Sequence, residues 1–154
     1  MTAPKVTYIL GAGRSGSTVL ERLLSSAPGV VGTGEIATLW RRTLSALTCS
    51  CGAPAPDCPF WVDVRAKAGL GEGALAELAE LEAGVIRHRK MLTDTLCGQR
   101  WSARRPVRRF AAYQAALFAA VAEASGATRI VDSSKAGPRA WALADMMGVS
   151  ILHL

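Results

Sequence analysis

The chain has 154 residues, 50% of them hydrophobic, which is enough for one domain with a buried core and excludes a disordered chain. Its formal net charge of +6 at pH 7 favours an anionic partner, such as a nucleotide with several phosphates. No apolar run predicts a membrane span or a signal peptide, so we expect no membrane span and a cytoplasmic location. No pattern of aromatic and basic residues indicates nucleic-acid binding, so we expect no nucleic-acid partner.

The first predicted element is a strand over 5–10, followed by a glycine-rich turn and a helix over about 17–26. The turn reads Gly-Ala-Gly-Arg-Ser-Gly-Ser-Thr over 11–18, which is the spacing of a Walker A loop with Ser17 in place of its Lys. Glycines allow consecutive backbone N–H groups to converge on an anion at the positive end of the helix. The sequence therefore predicts a phosphate loop made of Gly13, Arg14, Ser15, Gly16, Ser17 and Thr18.

The middle of the chain is predicted to be mainly helical, with helices over about 35–47, 74–95 and 107–124 after a brief extended segment at 30–32. A loop with Cys49, Cys51 and Cys58 lies between the first two of these helices. Its C-x-C-x6-C spacing departs from the C-x2-C pairs of ordinary zinc sites, and no nearby His completes four ligands. We therefore expect no metal.

The last predicted elements are a strand over 129–132, a turn over 132–135, a helix over about 138–147 and a strand over 149–154. This order predicts an α/β fold, a three-layer parallel sheet with a P-loop-like strand–loop–helix unit and helical insertions. Ligands of such sheets bind beyond the carboxyl ends of the strands. The phosphate loop and the segment Asp132–Lys135 should therefore lie at the same edge.

Three segments together resemble the bacterial type of sulfotransferases that use 3′-phosphoadenosine 5′-phosphosulfate. They are the loop at 11–18, the Asp-Ser-Ser-Lys segment at 132–135, and Cys49-Ser50-Cys51-Gly52 followed by Cys58-Pro59-Phe60-Trp61. The resemblance implies that this nucleotide is the co-substrate, that its sulfuryl group passes to a hydroxyl or amine acceptor, and that no metal takes part.

The resemblance also implies an incomplete domain. In that family the strand corresponding to 148–154 runs into a turn whose Arg helps to hold the 3′-phosphate. We therefore expect residues 1–154 to be the N-terminal part of a sulfotransferase domain, truncated before the 3′-phosphate-binding segment and inactive by itself.

Residue roles follow from the same resemblance. Arg14 would grip the 5′-phosphosulfate, and Lys135 would reach the bridging oxygen or the sulfonate as the bond breaks, with Ser133 and Ser134 as further donors. Glu35 is similar to the Gly-Glu element of tyrosylprotein sulfotransferases, in which a Glu is the base. Its alternative is an acidic residue in the first turn of a helix, where the helix dipole favours it.

Two other functions stay open. One is a P-loop kinase of small molecules with Asp132 as a magnesium ligand, although Ser17 in place of Lys argues against it and we expect Asp132 to organise a turn. The other is an interaction module stabilised by metal or disulfide at the cysteine loop. The sequence selects neither the acceptor nor the oligomeric state.

Overall fold

The computed structural model describes residues 3–84, 86–97 and 103–154. Two single turns of 3-10 helix lie at Ile36–Thr38 and Ala55–Asp57. The other elements, in chain order, are β1 (Lys5–Leu10), α1 (Ser17–Ser25), β2 (Val30–Gly32), α2 (Leu39–Leu44), α3 (Pro59–Lys67), α4 (Glu72–Gly84), α5 (His88–Leu96), α6 (Arg105–Ser125), β3 (Arg129–Lys135), α7 (Gly137–Met147) and β4 (Ser150–His153).

The strands form one parallel sheet in the order β2-β3-β1-β4. Every residue of β3 from Ile130 to Ser134 is buried, as a central strand covered on both faces should be. By contrast, β4 lies at an edge and all of its residues are exposed. The predicted α/β fold with a parallel sheet is confirmed.

Two crossovers leave the central pair of strands in opposite directions. The connection through α1 runs from β1 past β3 to β2, while the connection through α7 runs from β3 past β1 to β4. Right-handed crossovers therefore put α1 and α7 on opposite faces of the sheet. The carboxyl ends of β1 and β3 thus flank a topological switch point, where ligands of open α/β sheets bind.

The core lies mainly on the face of the sheet that α6 and α7 cover. The predicted apolar stripe of α6 is confirmed, since Phe110, Leu117 and Val121 are all fully buried and Tyr113 is partly buried. Burying each such apolar side chain is worth about 1.5–3 kcal/mol. Helices α3, α4 and α7 pack against α6, which ends at Gly126 as predicted.

Three helix predictions need correction. The single helix over 74–95 is two helices, because α4 ends at Gly84, α5 begins at His88, and Ile86 between them is buried in the core; Val85 lies outside the described residues. The helix over 35–47 is shorter, because the backbone turns after Leu44 into the cysteine loop. Helix α3 was not predicted, although Pro59 occupies its first turn, where Pro is favoured.

The segment 132–135 was predicted as a turn, but it is the last part of β3. Its position at the carboxyl edge of the sheet, beside the loop that follows β1, is as predicted. Within the described ranges, no helix has both the length and the apolar character needed to cross a membrane.

Candidate functional site

The loop between β1 and α1 has the backbone geometry of an anion cradle. Gly16, the residue before α1, has a φ of 82°, and Arg14 has a φ of 65°, so both are in the left-handed region that favours glycine. No described protein group accepts a hydrogen bond from the backbone amides of residues 13–19. These amides and the positive end of α1 are therefore available to an anion.

Two side chains give the loop its character. Ser17 is buried at the start of α1, while Arg14 is exposed and forms no ion pair with any described residue. The glycine at position 11 allows tight closure, because a Cβ there would lie 3.1 Å from Ser15 Oγ. The loop thus joins a set of backbone donors to one uncommitted cation.

The pairing of β1 with β3 brings Lys135 next to this loop. Tyr8 is paired with Asp132, but Leu10 is paired with Lys135, so β3 has one extra residue over the same span. Such a bulge re-aims side chains, and Lys135 itself has a φ of 67°. Left-handed backbone at a residue other than Gly is unusual and is concentrated at functional sites. Lys135 thus ends β3 immediately beside the residue that precedes the cradle.

Glu35 is the partner of Lys135. Lys135 Nζ donates to Glu35 Oε1 and forms an ion pair in which the two side chains are 20% and 39% exposed, respectively. Glu35 precedes the 3-10 turn but its side chain caps no helical N–H group. The structure therefore brings two predicted catalytic residues together, although they are 100 positions apart.

The segment that carries Glu35 is fastened to β3 by backbone hydrogen bonds. Thr33 N–H donates to Val131 O, and Ser133 N–H donates to Gly34 O, each at 3.0 Å. The hydroxyl of Thr33 also donates to Val131 O. These bonds hold the approach to Glu35 against the carboxyl end of β3.

Glu21 on α1 is a site residue that the sequence analysis missed. Its carboxylate is buried and accepts the Gly34 N–H at 2.5 Å and the Ser133 hydroxyl at 2.6 Å. It therefore joins α1 to both segments that hold the Glu35–Lys135 pair. The one available signal was its position four residues after Ser17, on the same face of the helix.

Ser133 and Ser134 already donate their hydroxyl protons. Ser133 donates to Glu21, while Ser134 donates to Asp132 Oδ1 and accepts the Ala37 N–H at 2.9 Å. Both residues are buried. To donate to a nucleotide, as predicted, the two hydroxyls would have to break their bonds to Glu21 and Asp132.

Asp132 belongs to a buried polar network. Its Oδ1 also accepts the backbone N–H of Ser134 at 2.9 Å, which organises the end of β3. Its Oδ2 lies 3.6 Å from Arg139 Nη2, and both side chains are fully buried. Arg139 also donates to Glu82 Oε2 at 3.0 Å and to Gln114 Oε1 at 2.6 Å.

Burial dominates the ionisation of this network. It raises the pKa of Asp132 and of Glu82, and the charge of Arg139 opposes both shifts. Burial, followed by the nearby charge of Asp132, raises the pKa of Tyr8, whose hydroxyl donates to Ala136 O at 3.1 Å. For Arg139, burial disfavours the cation but the two carboxylates prevail and raise its pKa. The network is thus a scaffold beneath the site.

A cavity of about 660 Å³ adjoins the Glu35 side of the cradle. Its wall includes Thr18 from the cradle, Glu35, and acidic and basic side chains such as Glu21, Arg22 and Arg42. The cysteine loop and the start of α3 also line it. A small molecule in this cavity would have both a carboxylate and the cradle within reach.

The three cysteines of that loop converge, which their spacing did not predict. The sulfur of Cys58 lies 3.6 Å from those of Cys49 and Cys51. Burial opposes ionisation of Cys49, but hydrogen bonds from the Cys51 N–H and from neighbouring thiols lower its pKa. Burial raises the pKa of Cys58, and the Trp61 N–H partly offsets that effect.

Comparisons with known proteins give no further guide to this site. No model of a protein family matches the chain, and neither the curated proteins nor the solved structures contain a match.

Proposed function

We propose that this chain serves sulfuryl transfer, with the 5′-phosphosulfate of 3′-phosphoadenosine 5′-phosphosulfate in the cradle and a hydroxyl or amine acceptor in the adjoining cavity. One observation carries the proposal. The pairing of Leu10 with Lys135 sets a lysine–glutamate pair beside a glycine-rich anion loop that has Ser17 where a Walker A loop has Lys.

Nucleotide binding would use groups that are uncommitted in the protein. The amides of residues 13–19 and the positive end of α1 suit the 5′-phosphate and the sulfonate, and Arg14 adds a planar cation. Charge-assisted hydrogen bonds of this kind are about twice as strong as neutral ones. The cradle thereby orients the sulfur for attack.

The chemical step needs a base on the acceptor side and positive charge on the leaving side. The acceptor oxygen or nitrogen forms a bond to sulfur while Glu35 takes its proton. The bond between sulfur and the bridging oxygen breaks, and its electron pair stays on the 5′-phosphate. Lys135, released from Glu35 by the incoming phosphate, stabilises that charge together with the cradle amides.

In this proposal, nucleotide binding separates Lys135 from Glu35, and each then takes its own part in the reaction. Before the nucleotide binds, each side chain neutralises the other at a partly exposed position. When Lys135 turns to the phosphate, the Glu35 carboxylate faces the cavity as a free acceptor of protons. Glu21 supports this arrangement by holding the Gly34 N–H, one residue from Glu35.

A magnesium-dependent kinase has less support from the contacts. Asp132, which would hold the metal, accepts two hydrogen bonds from Ser134 and faces Arg139 in the interior. An arginine that close competes with a divalent cation for the carboxylate. Tight ATP binding that requires magnesium would favour the kinase over sulfuryl transfer.

The proposal is tested by titrating the protein with 3′-phosphoadenosine 5′-phosphate in a calorimeter, with and without magnesium. Arg14→Ala should weaken binding at least tenfold, because a hydrogen bond to a charged group is worth about 1.5–3 kcal/mol. The matched control is Arg129→Ala, which removes an exposed arginine from the opposite end of β3.

Metal-independent binding that Arg14→Ala weakens and Arg129→Ala leaves intact is the expected result. Equal affinity in wild type and a folded Arg14→Ala variant would show that the cradle does not bind the nucleotide. A transfer assay on the protein expressed from its full natural reading frame, with labelled 3′-phosphoadenosine 5′-phosphosulfate and a panel of carbohydrate, lipid, peptide and small-molecule acceptors, then identifies the acceptor class.

A further inference from the structure

The sulfur cluster of Cys49, Cys51 and Cys58 has no part in the transfer chemistry. All three sulfur atoms lie within 4.8 Å of one another, and all three cysteines line the cavity next to the cradle. The exposure of the three residues is graded, with Cys58 buried, Cys49 intermediate and Cys51 exposed. The cluster therefore has one side in the protein and one side open.

The distances between the sulfurs match those around a tetrahedral metal. Two thiolates bound to one zinc ion, each at about 2.3 Å, lie about 3.8 Å apart. The sulfur of Cys58 lies 3.6 Å from each of the other two sulfurs. Thiolate ligands of this kind select zinc among the common divalent ions.

The backbone around the cluster is shaped to hold the sulfurs in place. Gly52 N–H donates to Cys49 O at 2.9 Å, and Cys49 N–H donates to Ala53 O at 2.8 Å, which closes a tight turn around Cys51. Thr48 and Pro54 then form an antiparallel bridge at the base of the turn. Cys49 and Cys51 are thus held in one tight turn without the help of an ion.

The third cysteine is placed by a helix. Cys58 immediately precedes α3, and its backbone carbonyl accepts the Val62 N–H at 2.8 Å. Its sulfur therefore lies near the positive end of α3, where negative charge is favoured.

We propose that Cys49, Cys51 and Cys58 bind one zinc ion as thiolates, with the fourth coordination position open to the cavity. No other Cys, His, Asp or Glu of the described residues joins the cluster, so solvent or a ligand in the cavity fills that position. Bound zinc fixes the wall formed by the cysteine loop and α3 relative to Glu35. The site is independent of the nucleotide cradle.

A disulfide is the competing use of the same atoms. A bond between two sulfurs is about 2.05 Å long and consumes two thiols, so it leaves the third cysteine without a partner. The symmetry of the two 3.6 Å separations, both centred on Cys58, fits shared coordination by three sulfurs better than one pair.

The test measures zinc in the reduced, purified protein by elemental analysis and follows titration of the metal-free protein with Co²⁺ by absorption spectroscopy. We expect one zinc per chain and the thiolate-to-cobalt charge-transfer band of a tetrahedral site. Loss of an outer-sphere partner typically weakens metal binding by about 10–100-fold. Because Cys51 would be a direct ligand, Cys51→Ser should weaken zinc binding by more than that. Because Cys51 is exposed, this variant should fold.

The matched control is Cys97→Ser, which removes an exposed cysteine outside the cluster and should keep the full zinc content. Cys58→Ser is a second test, with circular dichroism to show that the buried substitution still folds. Reduced wild-type protein without stoichiometric zinc would overturn the proposal. A Cys51→Ser variant with wild-type zinc affinity, or a Cys49–Cys58 or Cys51–Cys58 disulfide as the resting state in mass spectra, would overturn it equally.

Discussion

Replacing Arg139 with Met should destabilise the fold strongly, because it removes a fully buried cation from its network of Asp132, Gln114 and the largely buried Glu82. Arg139 is completely inaccessible and donates to Glu82 and Gln114, and it lies 3.6 Å from Asp132. Its guanidinium also lies 5.3 Å from the ring centre of Trp40. Met keeps most of the volume of the stem but leaves two buried carboxyl groups without their counter-charge.

The expected loss is about 3–5 kcal/mol, the usual result of removing one partner of a buried ion pair. That is a large share of a total stability of about 5–15 kcal/mol. At a urea m-value of about 2 kcal/mol/M, the unfolding midpoint should fall by about 1.5–2.5 M. The assay is urea unfolding followed by circular dichroism and by tryptophan fluorescence.

Arg109→Met is the matched control, because it is the same substitution in an exposed pair. Arg109 binds Glu77 at the surface, with side chains that are 54% and 32% exposed, respectively. Water screens such a pair, so its loss should move the midpoint by only a small fraction of the shift for Arg139→Met. Equal shifts in the two variants would refute the view that the buried network depends on Arg139.

The pH dependence gives a second test of the same network. Burial raises the pKa of Asp132 and Glu82, and loss of the opposing charge of Arg139 should raise both further. A carboxyl group with a raised folded-state pKa stabilises the fold below its unfolded pKa, about 4, and that stability is lost as the pH rises through the folded pKa. The defect of Arg139→Met should therefore be largest near neutral pH and shrink towards pH 4. A defect that grows on acidification would contradict this account.

Three further substitutions test the site. In the protein expressed from its full natural reading frame, Glu35→Gln should lower sulfuryl transfer by about 10²-fold or more, which is the usual share of a general base. Calorimetric nucleotide affinity should not fall, because Lys135 is then free for the phosphate. Near-normal transfer would exclude Glu35 as the base. Lys135→Ala should weaken nucleotide binding at least tenfold, because it removes a contact to a charged group worth about 1.5–3 kcal/mol. Lys67→Ala, which changes a surface ion pair, is the control and should not weaken binding. Equal affinities of the two variants would show that Lys135 does not bind the nucleotide. Gly16→Ala should lower the melting temperature by about 2–8 °C, because a residue with a Cβ in left-handed backbone costs about 1–2 kcal/mol of stability. Gly13→Ala is the control, because the φ of Gly13 is not positive. Identical melting temperatures for the two glycine variants would contradict that cost.

The sequence determined the local features of this protein, because each depends on neighbouring residues. The glycine spacing over 11–18 predicted the turn between β1 and α1, and Gly126 predicted the end of α6. The order of strands and helices then predicted a parallel sheet with the two loops at one edge. Periodicity also identified the buried stripe of α6. Boundaries were less accurate where packing decided them, as at Ile86, whose burial divides the predicted helix over 74–95.

Only the tertiary structure decided which distant side chains meet. The Glu35–Lys135 pair depends on a bulge in β3 and on backbone bonds from Thr33 and Gly34, none of which leaves a pattern in the sequence. Glu21 occurs in a helix whose apolar residues Val19 and Leu23 are exposed, and its burial follows from the packing of α1 against β2 and β3. The convergence of Cys49, Cys51 and Cys58 likewise required the turn at Gly52 and the unpredicted helix α3. Contacts of this kind are set by strand register and helix packing, which are properties of the whole chain rather than of any segment.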